Sequence, residues 1–145
     1  MVLSYPSNPT AMTADLEFYR EAVQLAKRLD LIILSDIAYS EIYFENNPPP
    51  SVLQVPGAMD VTVEFTSMSK TFSMAGWRMG FAVGNERLIS ALTRVKSYLD
   101  YGAFTPIQVA ASAALNDPDA DQHIDEVRQV YKRRRDVMVE SFGRA

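Results

Sequence analysis

Two kinds of apolar spacing follow one another in the first 36 residues, and their order constrains the fold more than any other feature of the chain. Val2-Leu3-Ser4-Tyr5 is an extended segment, and Pro6-Ser7-Asn8-Pro9-Thr10 breaks it with two prolines in a rigid turn. Leu16, Tyr19, Val23, Ala26 and Leu29 then recur at helical spacing and predict a helix over 14–29. Thr13 is its candidate cap, Asp15 and Glu17 suit its positive end, and Lys27 and Arg28 suit its negative end. Leu31-Ile32-Ile33-Leu34 is an unbroken apolar run ending at Ser35-Asp36, as a parallel strand covered on both faces requires. Strand, helix and strand in this order make a βαβ unit, and ligands gather beyond the carboxyl ends of such strands. Asp36 lies at one of those ends. Tyr39 follows by three residues, on the same side of any helical turn that begins there.

The next strand is Val61-Thr62-Val63-Glu64-Phe65-Thr66, β-branched and apolar. Residues 31–36 and 62–66 are expected to pair in parallel. Residues 81–84 form a further short strand that should return antiparallel, because 73–80 is too short for the crossover of about a dozen residues that a parallel partner needs. Asn85 caps a helix reaching 99, and Thr105-Pro106-Ile107-Gln108 has the form of a capping box opening a helix to 115. Asn116-Asp117-Pro118-Asp119 stops that helix and starts a last, long one carrying Ile124, Val127, Tyr131 and Met138. Residues 45–50, with three consecutive prolines, read as a surface loop. The pattern predicts an α/β fold, a three-layer α/β/α sandwich around a mostly parallel sheet.

The bulk properties exclude several classes. A chain of 145 residues that is 48% hydrophobic suffices for one compact domain. No apolar run approaches the ~20 residues of a membrane span, and residues 1–6 lack the pattern of a secretion signal. Cysteine is absent, which removes disulfides and thiolate metal sites and is compatible with the cytoplasm. A formal charge of −4 argues against nucleic acid as a partner. Lys132-Arg133-Arg134-Arg135 reads as a solvated helix face, and His123 as an ordinary surface residue without metal-ligand spacing.

The chemistry concentrates in Ser67-Met-Ser-Lys-Thr-Phe-Ser-Met-Ala-Gly-Trp-Arg-Met-Gly80. Lys70 sits just past a strand end among hydroxyl residues, and Arg78 is framed by Gly76 and Gly80. An amine so placed can condense with a carbonyl cofactor, with hydroxyls and a guanidinium at hand for an anion. Taken one at a time the residues have plainer readings: Lys70 in a polar surface loop, Asp36 as a helix cap, Tyr39 as a core aromatic, Asn8 as a turn residue, Arg78 in a surface ion pair.

Over its fourteen positions this stretch resembles the lysine motif of the class I/II aminotransferases, fold type I enzymes that use pyridoxal 5'-phosphate (PLP). The order Asn8-Pro9, Ser35-Asp36 with Tyr39, Ser67 with Ser69-Lys70, then Arg78 also resembles that family. The resemblance implies that Lys70 holds the cofactor and shuttles protons, and that Asp36 faces the pyridine nitrogen. It further implies that Asn8 and Tyr39 face the phenolate oxygen, and that Arg78, Ser67 and Ser69 grip the phosphate. Residues 96–109 resemble the bacterial glutamate–pyruvate (alanine) aminotransferases, in which this region lies near the dimer interface. Amino acid and 2-oxo acid substrates, alanine or glutamate first among them, and a homodimeric parent are implied. The resemblance covers 1–145 as part of a PLP-binding large domain. The family's N-terminal arm, glycine-rich phosphate loop, stacking aromatic and C-terminal small domain have no counterpart here, so the reading is a fragment, inactive alone. A non-catalytic remnant with weak PLP binding, or a lyase with the same lysine chemistry, are the alternatives. Asn8, Asp36, Tyr39, Lys70 and Arg78 are expected to converge on one cavity.

Overall fold

A computed structural model describes residues 1–143. Its sheet has four strands in the order β1 (Val2–Ser4), β2 (Ile33–Asp36), β3 (Thr62–Ser67), β4 (Gly80–Gly84). The first two pairings are parallel and the third is antiparallel, as the connection lengths require. Helix α1 (Leu16–Leu29) joins β1 to β2, and a single turn, α2 (Met68–Thr71), follows β3. Helices α3 (Glu86–Leu99), α4 (Thr105–Leu115) and α5 (Ala120–Gly143) come after β4.

Strand pairing fixes which side chains share a face, because registered residues point the same way. Leu3, Ser35 and Glu64 are in one row, and Ile33 pairs with Thr62 beside them. This face meets α1, whose Tyr19, Ala22, Val23 and Ala26 are buried against Leu3 and Ile33, with Val52, Val55 and Ala58 closing the cluster. On the opposite face Phe65 and Ala82 border a cleft whose other wall is Ile89 and Leu92 of α3. Helices thus flank the sheet on both sides. Coverage is incomplete: Val2 is 73% and Leu34 40% exposed on the second face.

Three local expectations change. Asp15, not Thr13, caps α1, its Oδ1 accepting the Phe18 N–H at 2.8 Å. The helix starts two residues later than the apolar spacing implies, at Leu16, and Asp15 immediately before it has the extended backbone that a cap needs. The capping box at Thr105 does not form. Thr105 is already the first helical residue and Phe104 stands in the cap position, so the Thr105 hydroxyl cannot serve the first turn. Gln108 Nε2 donates instead to the Ala103 carbonyl at 2.5 Å. The basic run on α5 is not wholly solvated either, since Arg135 pairs with Glu45 and stacks on Phe44. Asn85 does cap α3, its Oδ1 accepting from Arg87 and Leu88 while its Nδ2 donates to the Asp60 carbonyl.

Candidate active site

The carboxyl ends of β1, β2 and β3 and the amino end of β4 lie along one edge. Ser4 pairs with Asp36, Asp36 with Phe65, and Ser67 with Gly80. The same register sets Asp36 on the face that carries Phe65 and, two residues on, Ser67. Each chemically reactive residue is delivered to this edge by a strand end or by the turn after it.

Lys70 arrives by a sharp change of direction. Ser67 is the last strand residue and the cap of α2, its hydroxyl accepting the Ser69 N–H at 3.1 Å. Met68, 1% exposed, anchors the turn: its N–H donates to Met79, and its carbonyl accepts from both Phe72 and Met74. With Met68 fixed inside, Lys70 projects from a short, backbone-pinned element. Its Nζ stands 5.5 Å from the centroid of the Tyr39 ring. Among the described residues it makes no ion pair and no hydrogen bond, so the amine is committed to no other partner.

Tyr39 lies in the turn after β2, between the Ser40-to-Ile37 and Ile42-to-Tyr39 backbone bonds. Its hydroxyl accepts from Asn8 Nδ2 at 3.1 Å. Asn8 belongs to the turn after β1, which the Ala11-to-Ser7 and Ser7-to-Met12 bonds close. Asn8, Tyr39 and Lys70, 62 positions apart in sequence at their extremes, therefore form one chain of contacts. Asp36 accepts the Ala38 N–H at 3.0 Å and has no cation beside it among the described residues.

Arg78 reaches the same edge differently. It ends a 3-10 turn, Ala75–Trp77, in the left-handed region at φ 55°, two residues before the Gly80 that pairs with Ser67. Its guanidinium donates to the Ala75 carbonyl at 3.1 Å, its only hydrogen bond among the described residues. The backbone register brings the seven candidates to one end of the sheet, and side-chain contacts join three of them, Asn8, Tyr39 and Lys70. The cleft of about 300 Å³ that reaches this edge includes Ser67 among its lining but none of the other six.

Two features were not anticipated. Glu64, 7% exposed, sits behind the edge and accepts from Ser35 at 3.2 Å and Ser51 at 2.7 Å. A lone carboxylate inside an apolar strand run was the available signal. Arg128 of α5 contacts Glu41 and Tyr43, in the segment beyond Tyr39, and no local pattern announces it. Among the described residues there is no cluster of three or more metal-ligating side chains, and no helix is long and apolar enough to cross a membrane.

The donor types fit a phosphorylated carbonyl compound with a basic ring nitrogen: an amine, a carboxylate and a guanidinium, none in an ion pair among the described residues, and an amide–phenol pair. Comparison with known proteins bears on the same point. The model of the family "Aminotransferase class I and II" matches residues 1–145. AatC of Rhizobium meliloti (strain 1021), whose name marks it as a candidate aminotransferase, is 74% identical over all of this chain and 35% of its own length. Glutamate-pyruvate aminotransferase AlaC of Escherichia coli (strain K12) is 53% identical over all of this chain and 35% of its own. An LL-diaminopimelate aminotransferase of Moorella thermoacetica is 49% identical over 99% of this chain and 36% of its own. An aminotransferase structure from Staphylococcus aureus superposes with a TM-score of 0.90 at 38% identity, over 99% of this chain and 37% of that one. The chain spans about a third of the length of the curated relatives it matches. With a family model matched from end to end and a site of this composition, the chain belongs to the class I and II aminotransferases.

Proposed function

We propose that these 145 residues belong to the cofactor-binding large domain of a PLP-dependent aminotransferase, which moves an amino group between an amino acid and a 2-oxo acid. The observation that carries this reading is Lys70: an amine without ion pair or hydrogen bond among the described residues, at a strand's carboxyl end, beside a tyrosine whose hydroxyl is already oriented by Asn8. Bound PLP would supply an electron sink for the carbanion formed at the substrate's α-carbon. Lys70 would hold the cofactor covalently and then carry a proton to and from that carbon. The Asp36 carboxylate would keep the ring nitrogen protonated by opposing charge. Asn8 and Tyr39 would donate to the phenolate oxygen, and Arg78, Ser67 and Ser69 would bind the phosphate through charge-assisted hydrogen bonds.

Alanine and glutamate are the first substrates to test, on the likeness to AlaC, and LL-diaminopimelate is the second, on the likeness to the Moorella enzyme. Tyr98, Leu99, Tyr101 and Phe104 are each at least 70% exposed, and a second copy of the chain is the partner we assign to them. The test is spectroscopic. PLP added to the chain should give visible absorbance that Lys70→Ala abolishes, and reductive trapping should label Lys70 in preference to Lys27, Lys96 and Lys132. Absorbance that survives Lys70→Ala would sink the reading. Loss of the absorbance on adding each amino acid in turn would rank the substrates.

A further inference from the structure

Two arginines of α5 reach across to the segment that follows Tyr39. Arg128 lies over the Tyr43 ring, 3.9 Å from its centroid. Its Nε donates to the Glu41 carbonyl at 3.2 Å and its Nη2 to the Glu41 carboxylate at 3.4 Å. Its Nη1 holds Asp125, one turn back on α5, at 3.2 Å. Arg135 is two helical turns further on and therefore on the same face. It stands 4.3 Å from the centroid of Phe44 and donates to Glu45 at 2.8 Å, with Asp136 beside it. Backbone 41, ring 43, ring 44 and carboxylate 45 are thus gripped in succession from one helix face. The Arg128 side chain is only 15% exposed, which sets it apart from a solvated charge.

The grip falls where it matters for Tyr39. Ile42 N–H donates to the Tyr39 carbonyl at 3.0 Å, closing a turn of which Glu41 is the third residue. The carbonyl that Arg128 holds therefore belongs to the turn that begins with Tyr39. From the β2 side the segment is tied by Ile37 N–H to the Phe65 carbonyl, so Tyr39 lies between a sheet anchor and an arginine anchor. A planar guanidinium can stack on Tyr43 and fork to Glu41 together, whereas a lysine offers only a point charge. We propose that Arg128, supported by Arg135, is a positioning residue: by holding the turn at Glu41 it sets where the Tyr39 hydroxyl sits. The inference rests on the assignment of Tyr39 to the cofactor's phenolate oxygen made above.

Two readouts on the 145-residue chain test it. A hydroxyl donating to a phenolate favours the charged oxygen, so Tyr39→Phe should raise the pH midpoint of the Lys70-dependent absorbance. Arg128→Ala should raise it by about 1 unit, Arg128→Lys should do so in part, and Arg128→Ala should add nothing to Tyr39→Phe. Without PLP, the Ile42 amide should exchange about tenfold faster in Arg128→Ala, with the α1 amides unchanged. Faster exchange with an unmoved midpoint would mean that Arg128 only braces the loop, and would overturn the proposal; so would no change in either readout. If Arg128→Ala does not fold, Arg128→Lys and Arg135→Ala carry the same two measurements. Absence of any Lys70-dependent absorbance in the unmodified chain would instead overturn the cofactor reading, and this proposal with it.

Discussion

The fold opposes the ionisation of Tyr19, and the consequence can be measured at alkaline pH. Tyr19 is 1% exposed on the inner face of α1, within the cluster that includes Leu3, Ile33 and Val52. Burial first, then the negative charge of Glu64, then Tyr5, push its phenol up from the ordinary 10.0 to about 12. The raised value fixes the sign. Below pH 10 both folded and unfolded chains keep the proton and the contribution is fully present; above it the unfolded chain gives up a proton that the folded chain retains. Stability therefore falls as pH rises from 10 towards 12, at ~1.4 kcal/mol per pH unit. By pH 11 the loss is about 1.4 kcal/mol, a sizeable part of the 5–15 kcal/mol that holds a typical domain together. Urea unfolding at pH 8, 10 and 11 on the unmodified chain and on Tyr19→Phe isolates this contribution, since the two chains differ only in the Tyr19 hydroxyl. The unmodified chain should lose about 1.4 kcal/mol more than Tyr19→Phe between pH 8 and 11. Glu64→Gln should soften the loss only in part, because burial ranks above charge among the causes. A stability difference between the two chains that stays flat from pH 8 to 11 would refute the reasoning.

The strand contacts and the loop contacts give two further tests. A Cβ at Gly84, where φ is 152°, would lie 2.2 Å from the Thr62 carbonyl oxygen and 2.8 Å from Val63 Cα, so Gly84→Ala must push β4 off β3. It should cost about 2 kcal/mol or more by chemical denaturation, whereas Gly76→Ala, with nothing within 4 Å, should fall within roughly 0.5 kcal/mol of the unmodified chain. Glu45 is held below the usual carboxylate range by its hydrogen bond from Arg135. A lowered folded value means that its contribution is present above the ordinary carboxylate pKa and is lost as pH falls through the folded one. Unfolding measured from pH 5 down to about 2 should therefore show an acid loss that Glu45→Gln lacks, and equal acid profiles would contradict the pairing.

Where pattern and local chemistry coincide, the structure was legible in the chain. The order of extended, helical and extended spacing over residues 2–36 anticipates β1, α1 and β2 and their parallel pairing. The short connection over 73–80 anticipates an antiparallel β4, because no crossover fits. That Lys70 and Asp36 lie at one sheet edge follows from the same topology, since both come just after or at the carboxyl end of a parallel strand. The caps were less legible. Thr13 and Asp15 are both good cap types, and the choice depends on where the helix begins, which is at Leu16, directly after Asp15. At Thr105 the residue types fit a capping box, yet the helix begins one residue early, at Thr105 itself, and the motif is out of phase.

What could not be read locally depends on contacts between distant parts of the chain. Arg128 is 87 positions from Glu41, and Arg135 is 90 from Glu45. On α5 alone a run such as Lys132-Arg133-Arg134-Arg135 carries no sign of which arginine faces a ring and which faces water. The distinction arises only when α5 is laid beside the 41–46 segment: Arg133 is exposed, whereas Arg135 reaches both Phe44 and Glu45. Glu64 was visible as a charge within an apolar strand, but its compatibility with burial rests on Ser35 and Ser51, brought to it by β2 and by a turn near residue 51. Both cases share a cause. Helical and strand periodicity reports which face a residue occupies on its own element, while the value of a charge depends on what another element places against that face. For the proposed chemistry this means that residues which come to the edge by strand ends are readable in order, and residues that hold the edge in shape are readable only from the fold.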